Sequence, residues 1–199
     1  YGFNFNGQTE YIGHLSKKYI DTHSNEIMIL TTSKPIDNGK NLIIGLVTTH
    51  IPLKKIVGEL SRKKLKEKIV VFHNSLKSIW KIKKPLIGVL GINPHAGEHG
   101  IIGEEEKKIV LPVIKNLNKN KLRLEGPLSS DSCFFKNNRK KYNGILCFYH
   151  DQGLSPLKTL DFFNSVNVTG GLPILRVSPD HGPAFDIAKK NNAKIDSLV

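Results

Sequence analysis

The stretch Ile145-Leu-Cys-Phe-Tyr-His150-Asp151-Gln-Gly153-Leu-Ser-Pro-Leu-Lys158 decides the reading of this chain. Its apolar run, Ile145 to Tyr149, has the length of a buried strand and stops abruptly at polar residues and a glycine. In an α/β protein such a stop delivers polar groups to the carboxyl edge of the sheet, where ligands bind. The same form occurs twice upstream. Leu42 to Thr49 runs into His50, and Leu86 to Leu90 runs through Gly91-Ile-Asn-Pro into His95. Three apolar strands therefore end in three histidines, while His14, His23, His73, His99 and His181 do not share the form.

Outward from these strands, the periodicity switches repeatedly between sheet and helix. Tyr11 to Ile20 reads as a helix. Glu26 to Thr31 and Leu42 to Thr49 read as a neighbouring strand pair around a Pro/Asn/Gly turn at Ser33 to Gly39. Leu53, Ile56, Val57 and Leu60 recur at helical spacing after Pro52, predicting a helix whose face packs on the sheet. Lys64 to Lys84 predicts a long helix with the stripe Leu65, Ile69, Phe72, Leu76, Ile79 and Trp80, ended by Pro85. Leu86 to Leu90 is expected as a central strand. Glu104 to Asn116 is an amphipathic helix with an acidic first turn, as the helix dipole prefers. Leu122 to Leu124 reads as a short strand, Val166 to Leu175 as glycine-interrupted apolar segments, and Pro183 to Lys190 as the start of a last helix. Alternating strands and helices predict an α/β fold with a mixed, partly parallel sheet and flanking helices. No repeat or linker divides residues 1–199, which read as one unit.

At 199 residues the chain can bury a substantial core. No apolar run approaches the roughly 20 residues that span a bilayer, and the start has no signal-peptide pattern. Cys133 and Cys147 are the only cysteines, too few for a disulfide framework or a zinc cluster, and a reducing cytoplasm fits them. The formal net charge of +13 raises the possibility of a nucleic-acid partner. Arginine occurs only at 62, 123, 139 and 176, however, and the lysines are scattered without aromatic stacking platforms. The charge reads as solvated helix faces, with a few cations left for a phosphorylated small substrate.

Histidine binds zinc and other divalent ions through a neutral imidazole nitrogen, and three such ligands with open positions make a catalytic site. The alternative for each of His50, His95 and His150 is a polar residue at a strand end. Lys158, Asn167 and Arg176 form a second set of cation, amide and guanidinium suited to gripping a phosphate. Asp131 and Asp151 are candidate general bases, with loop capping as the alternative. Asp180-His181-Gly182-Pro183-Ala184-Phe185-Asp186 reads as a glycine turn opening a helix. Its amides suit an anion and Asp186 a ribose hydroxyl. No G-x-G-x-x-G follows a strand, so an ordinary Rossmann fingerprint is absent.

Asn93-Pro-His-Ala-Gly-Glu98, Gly126-Pro-Leu-Ser-Ser-Asp131, Tyr149-His-Asp-Gln-Gly153, Gly171-Leu-Pro-Ile-Leu-Arg176 and Asp180-His-Gly182 occur in one order. Together they resemble the 4-hydroxythreonine-4-phosphate dehydrogenase family of pyridoxal phosphate biosynthesis, over essentially the whole chain. The resemblance implies a fold like that of the isocitrate and isopropylmalate dehydrogenases. It implies NAD- or NADP-dependent oxidation and decarboxylation of 4-phosphohydroxy-L-threonine to 3-amino-2-oxopropyl phosphate. It further implies a divalent metal (zinc, magnesium or cobalt) on His50, His95 and His150, in a site shared across a homodimer. Substrate contacts carry over to Lys158, Asn167 and Arg176, and the family's His-Thr pair falls on Gln8-Thr9. The dinucleotide would meet His181, Gly182, Ala184 and Asp186. Gln8 departs from the pattern: an amide hydrogen-bonds an oxyanion but brings no positive charge. That departure keeps a dehydrogenase of threonate or erythronate phosphate as the alternative, and a basic nucleic-acid-binding protein is the alternative from another class. By the same resemblance the chain is expected to be a fragment, without an N-terminal segment and a C-terminal helix, and with extra residues around Ser33 to Lys40.

Overall fold

The computed structural model describes residues 5, 7–22, 25–180 and 190. In chain order it contains α1 (Gln8–Tyr19), β1 (Ile27–Thr32), β2 (Ile43–Leu46), α2 (Ile56–Glu59), α3 (Arg62–Ser78), β3 (Leu86–Leu90) and α4 (Leu111–Lys119). There follow β4 (Arg123–Leu128), α5 (Ser130–Cys133), α6 (Lys136–Arg139), β5 (Gly144–Cys147), α7 (His150–Leu160), β6 (Ser165–Gly170) and β7 (Arg176–Pro179). The last helix expected from Pro183 lies outside the described residues.

The strands form one seven-stranded sheet in the order β4-β3-β5-β2-β1-β6-β7. β4, β3, β5 and β2 run parallel, whereas β1 is antiparallel to both β2 and β6, and β6 to β7. The mixed, partly parallel sheet expected from the alternation is therefore present. β1, β2 and β5 are buried along their whole length, which is why Ile27 to Leu30, β2 and β5 are apolar without alternation, while the buried Thr31 and Thr32 close β1. Helices cover both faces. Ile27, Ile29, Ile43, Ile87, Val89 and Leu146 meet α3 and α4 on one side. Met28, Leu30, Ile44, Leu46, Ile145 and Cys147 meet Leu157 of α7 on the other. The alternation of neighbours between the two clusters follows from the two-residue period of a strand.

In α3 the Ser61 hydroxyl accepts from the Lys64 amide at 3.1 Å and starts the helix. Leu65, Ile69, Phe72 and Leu76 are fully buried. The Phe72 ring lies so close to β2 and β5 that a Cβ at Gly45 or Gly144 would stand 2.9 or 2.7 Å from it.

Several local expectations are corrected. The long helix stops at Ser78, short of Lys84, because Lys81 turns left-handed (φ 58°) and the Ile82 amide closes back on the Leu76 carbonyl at 3.1 Å. The segment after Pro52 is a 3₁₀ turn followed by one α turn, too short for a continuous stripe. Ile56 and Leu60 are buried, while Leu53 and Val57 are exposed. The helix expected at Glu104 to Asn116 begins as a π-helical turn over Glu106–Val110 and continues as α4. β3 is an inner strand, but the middle of the sheet is β2. Among the described residues no helix is long and apolar enough to cross a membrane.

Candidate active site at the carboxyl edge of the sheet

β2 and β5 are parallel neighbours, with Leu46 opposite Cys147, so their carboxyl ends open on the same edge. The pairing persists past the strands: the Val47 and Thr48 amides donate to the carbonyls of Cys147 and Phe148 at 2.9 and 3.1 Å. His50 and His150 consequently meet, with ring centroids 5.4 Å apart. His150 is the first residue of α7. His95 leaves β3 in a turn of five successive left-handed residues, His95 to His99, and stands beside Asp131 of α5, with Nδ1 to Oδ2 at 3.8 Å. Among the described residues no three His, Cys, Asp or Glu side chains converge as a metal-holding group. One chain thus brings two of the three expected histidines together and leaves His95 apart.

Each histidine has a carboxylate at its Nδ1. Glu10 Oε1 lies 3.6 Å from His50, Asp131 Oδ2 3.8 Å from His95, and Asp151 Oδ1 2.6 Å from His150. A carboxylate on one ring nitrogen leaves the other as the natural metal ligand, so the donor chemistry fits a divalent ion. Burial pushes the Glu10 carboxyl up, but pairing with His50 and the Thr49 hydroxyl outweighs it and brings the group to about 2. The same pairing with Glu10 raises the His50 imidazole against the opposing effect of burial. At Asp131 the Ser129 hydroxyl, 2.7 Å away, lowers the carboxyl, which makes it a weak base.

The second set gathers on one face of β6. Ser165, Asn167 and Thr169 share that face, and β7 places Ser178 and Arg176 opposite the last two. The Arg176 guanidinium donates to Thr169 Oγ1 at 3.1 Å, to Gln8 Oε1 at 3.0 Å and to Thr9 Oγ1 at 3.4 Å. Lys158 Nζ donates to Ser165 Oγ at 2.8 Å and pairs with the Asp180 carboxylate at 3.2 Å. Asn167 Oδ1 is buried without a hydrogen-bond partner among the described residues. The first turn of α1 joins the two sets, because Gln8 and Thr9 reach Arg176 while Glu10 reaches Thr49 and His50. Lys158 is carried by the helix that begins at His150, about 12 Å farther along its axis. His181, Gly182, Ala184 and Asp186, expected at the dinucleotide, lie outside the described residues.

Four further residues belong to this architecture without having been singled out from the sequence. Gln152, almost fully buried, accepts from the Phe148 amide at 2.7 Å and donates to the Gly91 carbonyl at 2.7 Å and Ser130 Oγ at 2.8 Å. It ties the ends of β5 and β3 to α5. Glu106, which reads as an ordinary acidic first turn, is buried and accepts from the Ile92 and Asn93 amides at 2.7 and 2.8 Å. Glu10 and Asp180 are the others. Gln152 and Asp180 carried a signal, as members of the His-Asp-Gln-Gly and Asp-His-Gly runs, whereas Glu10 and Glu106 carried none.

The family model described as pyridoxal phosphate biosynthetic protein PdxA matches residues 1–199. A 4-hydroxythreonine-4-phosphate dehydrogenase of Sulfurihydrogenibium sp. is 40% identical over 100% of this chain and 57% of its own length. One from Bacteroides thetaiotaomicron is 39% identical over 98% of this chain and 51% of its own. The chain thus spans little more than half the length of these curated relatives. Among solved structures, the enzyme of that name from Klebsiella pneumoniae superposes with a TM-score of 0.80 at 35% identity, covering 99% of this chain and 56% of that one. A terephthalate 1,2-cis-dihydrodiol dehydrogenase from Burkholderia xenovorans superposes with a TM-score of 0.73 at 25% identity, covering 96% and 58%.

Proposed function

The chain belongs to the PdxA family, and from that premise we propose that it carries the active-site edge of a 4-hydroxythreonine-4-phosphate dehydrogenase. The reaction we assign to the whole protein oxidises 4-phosphohydroxy-L-threonine. The carbinol carbon gives up hydride, the hydroxyl gives up its proton, and the resulting 3-oxo acid loses CO2 to yield 3-amino-2-oxopropyl phosphate. NAD or NADP supplies the hydride acceptor. A divalent ion on His50, His95 and His150 supplies Lewis acidity that lowers the pKa of the substrate hydroxyl.

The remaining work belongs to this chain's own residues. Arg176, backed by Thr169 and the Gln8-Thr9 pair, presents a guanidinium fork to the phosphate. Lys158 adds a point charge, and Asn167 its unsatisfied amide. Holding the phosphate there orients the carbinol end toward the histidines. Asp151 lies against the His150 ring and Asp131 faces His95. A base role for either carboxylate therefore includes release of that contact. Because His95 stands apart in one chain, we infer that the three imidazoles assemble across a homodimer. Two buried free thiols suit a cytoplasmic setting.

The observation that carries this reading is the first turn of α1, whose consecutive residues serve Arg176 and His50 at once. The test is NADH production from 4-phosphohydroxythreonine by the whole protein, with and without chelator. Chelation and His150→Ala should each abolish it, and a chelator-insensitive His150→Ala enzyme overturns the assignment. Gln8 is the one residue that bears on a second reading, a dehydrogenase of threonate or erythronate phosphate, which the relatives do not favour. A panel of phosphorylated hydroxy acids, scored by kcat/KM, separates the two.

A further inference from the structure

Three histidines at this edge each carry a carboxylate at Nδ1, and Glu10 differs from the other two carboxylates. The side chains of Asp131 and Asp151 are 63% and 76% exposed, whereas that of Glu10 is 26% exposed. Its Oε1 accepts a short hydrogen bond from Thr49 Oγ1 and stands 3.6 Å from His50 Nδ1, an ion-pair contact rather than a formed hydrogen bond. Its Oε2 is buried without a hydrogen-bond partner among the described residues. The backbone before α1 presses on both groups: a Cβ at Gly7 would lie 2.6 Å from His50 Nδ1 and 2.7 Å from Glu10 Oε2. A carboxylate clamped in this way is costly to leave unpaired, and the Nδ1 side of the His50 ring, 3.6 Å away, is the donor that faces it.

We propose that Glu10, through its contact with His50 Nδ1, is the positioning residue that selects the His50 tautomer and leaves Nε2 as the nitrogen available to a divalent ion. The inference rests on the metal-site reading above and adds a residue of the α1 first turn to it. Thr49, bonded to the same carboxylate, keeps Glu10 on its side of the ring. α1 thereby couples the anion-binding pair Gln8-Thr9 to the ligand geometry of His50.

The test is Co2+ titration of the whole protein, following affinity and the visible absorption of the bound ion. Glu10→Ala should weaken Co2+ binding about 10- to 100-fold and shift the absorption, the usual effect of removing a ligand's outer partner. Glu10→Gln, whose amide oxygen still accepts from an Nδ1–H, should recover most of the affinity. Wild-type Co2+ affinity and spectrum in Glu10→Ala, alongside loss of binding in His50→Ala, overturns the role of Glu10 and spares the metal site. Unchanged binding in His50→Ala overturns both. A lowered thermal midpoint in Glu10→Ala with unaltered Co2+ affinity marks a merely structural carboxylate and likewise overturns the proposal.

Discussion

Asp37 and Arg139, 102 positions apart, meet through two hydrogen bonds of 2.6 and 3.0 Å, with both side chains nearly buried. The pair fastens the turn between β1 and β2, where the extra residues were expected, to α6. Breaking a buried pair strands the remaining charge, so Arg139→Met should cost about 3–5 kcal/mol in urea unfolding. Replacing both residues with apolar ones should cost much less. Glu10 makes a pH prediction for the metal-free protein. Its folded pKa, about 2, lies below its unfolded value near 4.5. Its contribution to stability is therefore present above about pH 4.5 and is lost as pH falls toward about 2. Urea midpoints across that window should fall less steeply for Glu10→Gln than for the wild type. These residues were legible as types but not as partners. A Glu in an amphipathic first turn looks the same whether it faces water or an imidazole.

At the scale of elements, α3 was predictable because its stripe recurs over a long amphipathic stretch and faces one cluster. The segment after Pro52 shows where that logic stops. A hydrophobic recurrence over two single turns does not decide which of its residues face the core. The start of α7 depends on Gln152 for more than its helix, since the amide satisfies groups at the ends of β5 and β3 and at the start of α5. Gln152→Met keeps the volume but leaves the Phe148 amide and the Gly91 carbonyl without this partner. It should lower stability by about 1–3 kcal/mol and loosen the His150 end of the site. A thermal midpoint together with Co2+ affinity would check both effects.

For the whole molecule, the separation of His95 from the other two histidines has a direct consequence. If His50 and His150 of one subunit complete their site with His95 of another, His95→Ala and His150→Ala are each inactive alone. Mixed and reassociated, they form hybrids with one intact site of two, recovering about a quarter of wild-type activity in a random dimer population. No recovery after verified subunit exchange would show that each site is built within one chain.

The sequence by itself determined the α/β class, the strands whose ends meet at one edge, and the three histidines, because apolar runs and the residues that stop them are local properties. The family motifs added Gln8 and Thr9 to the set of Lys158, Asn167 and Arg176, and Gln8, Thr9 and Arg176 do meet in space. Only the tertiary structure decided that His50 faces His150 rather than His95, since strand order places β5 beside β2 and β3 beyond it. The same packing turned Glu106 and Gln152 from surface-type residues into buried anchors and left Glu10 half-buried against His50. Their roles depend on what approaches them from distant segments, and no periodicity in their own segments encodes that approach.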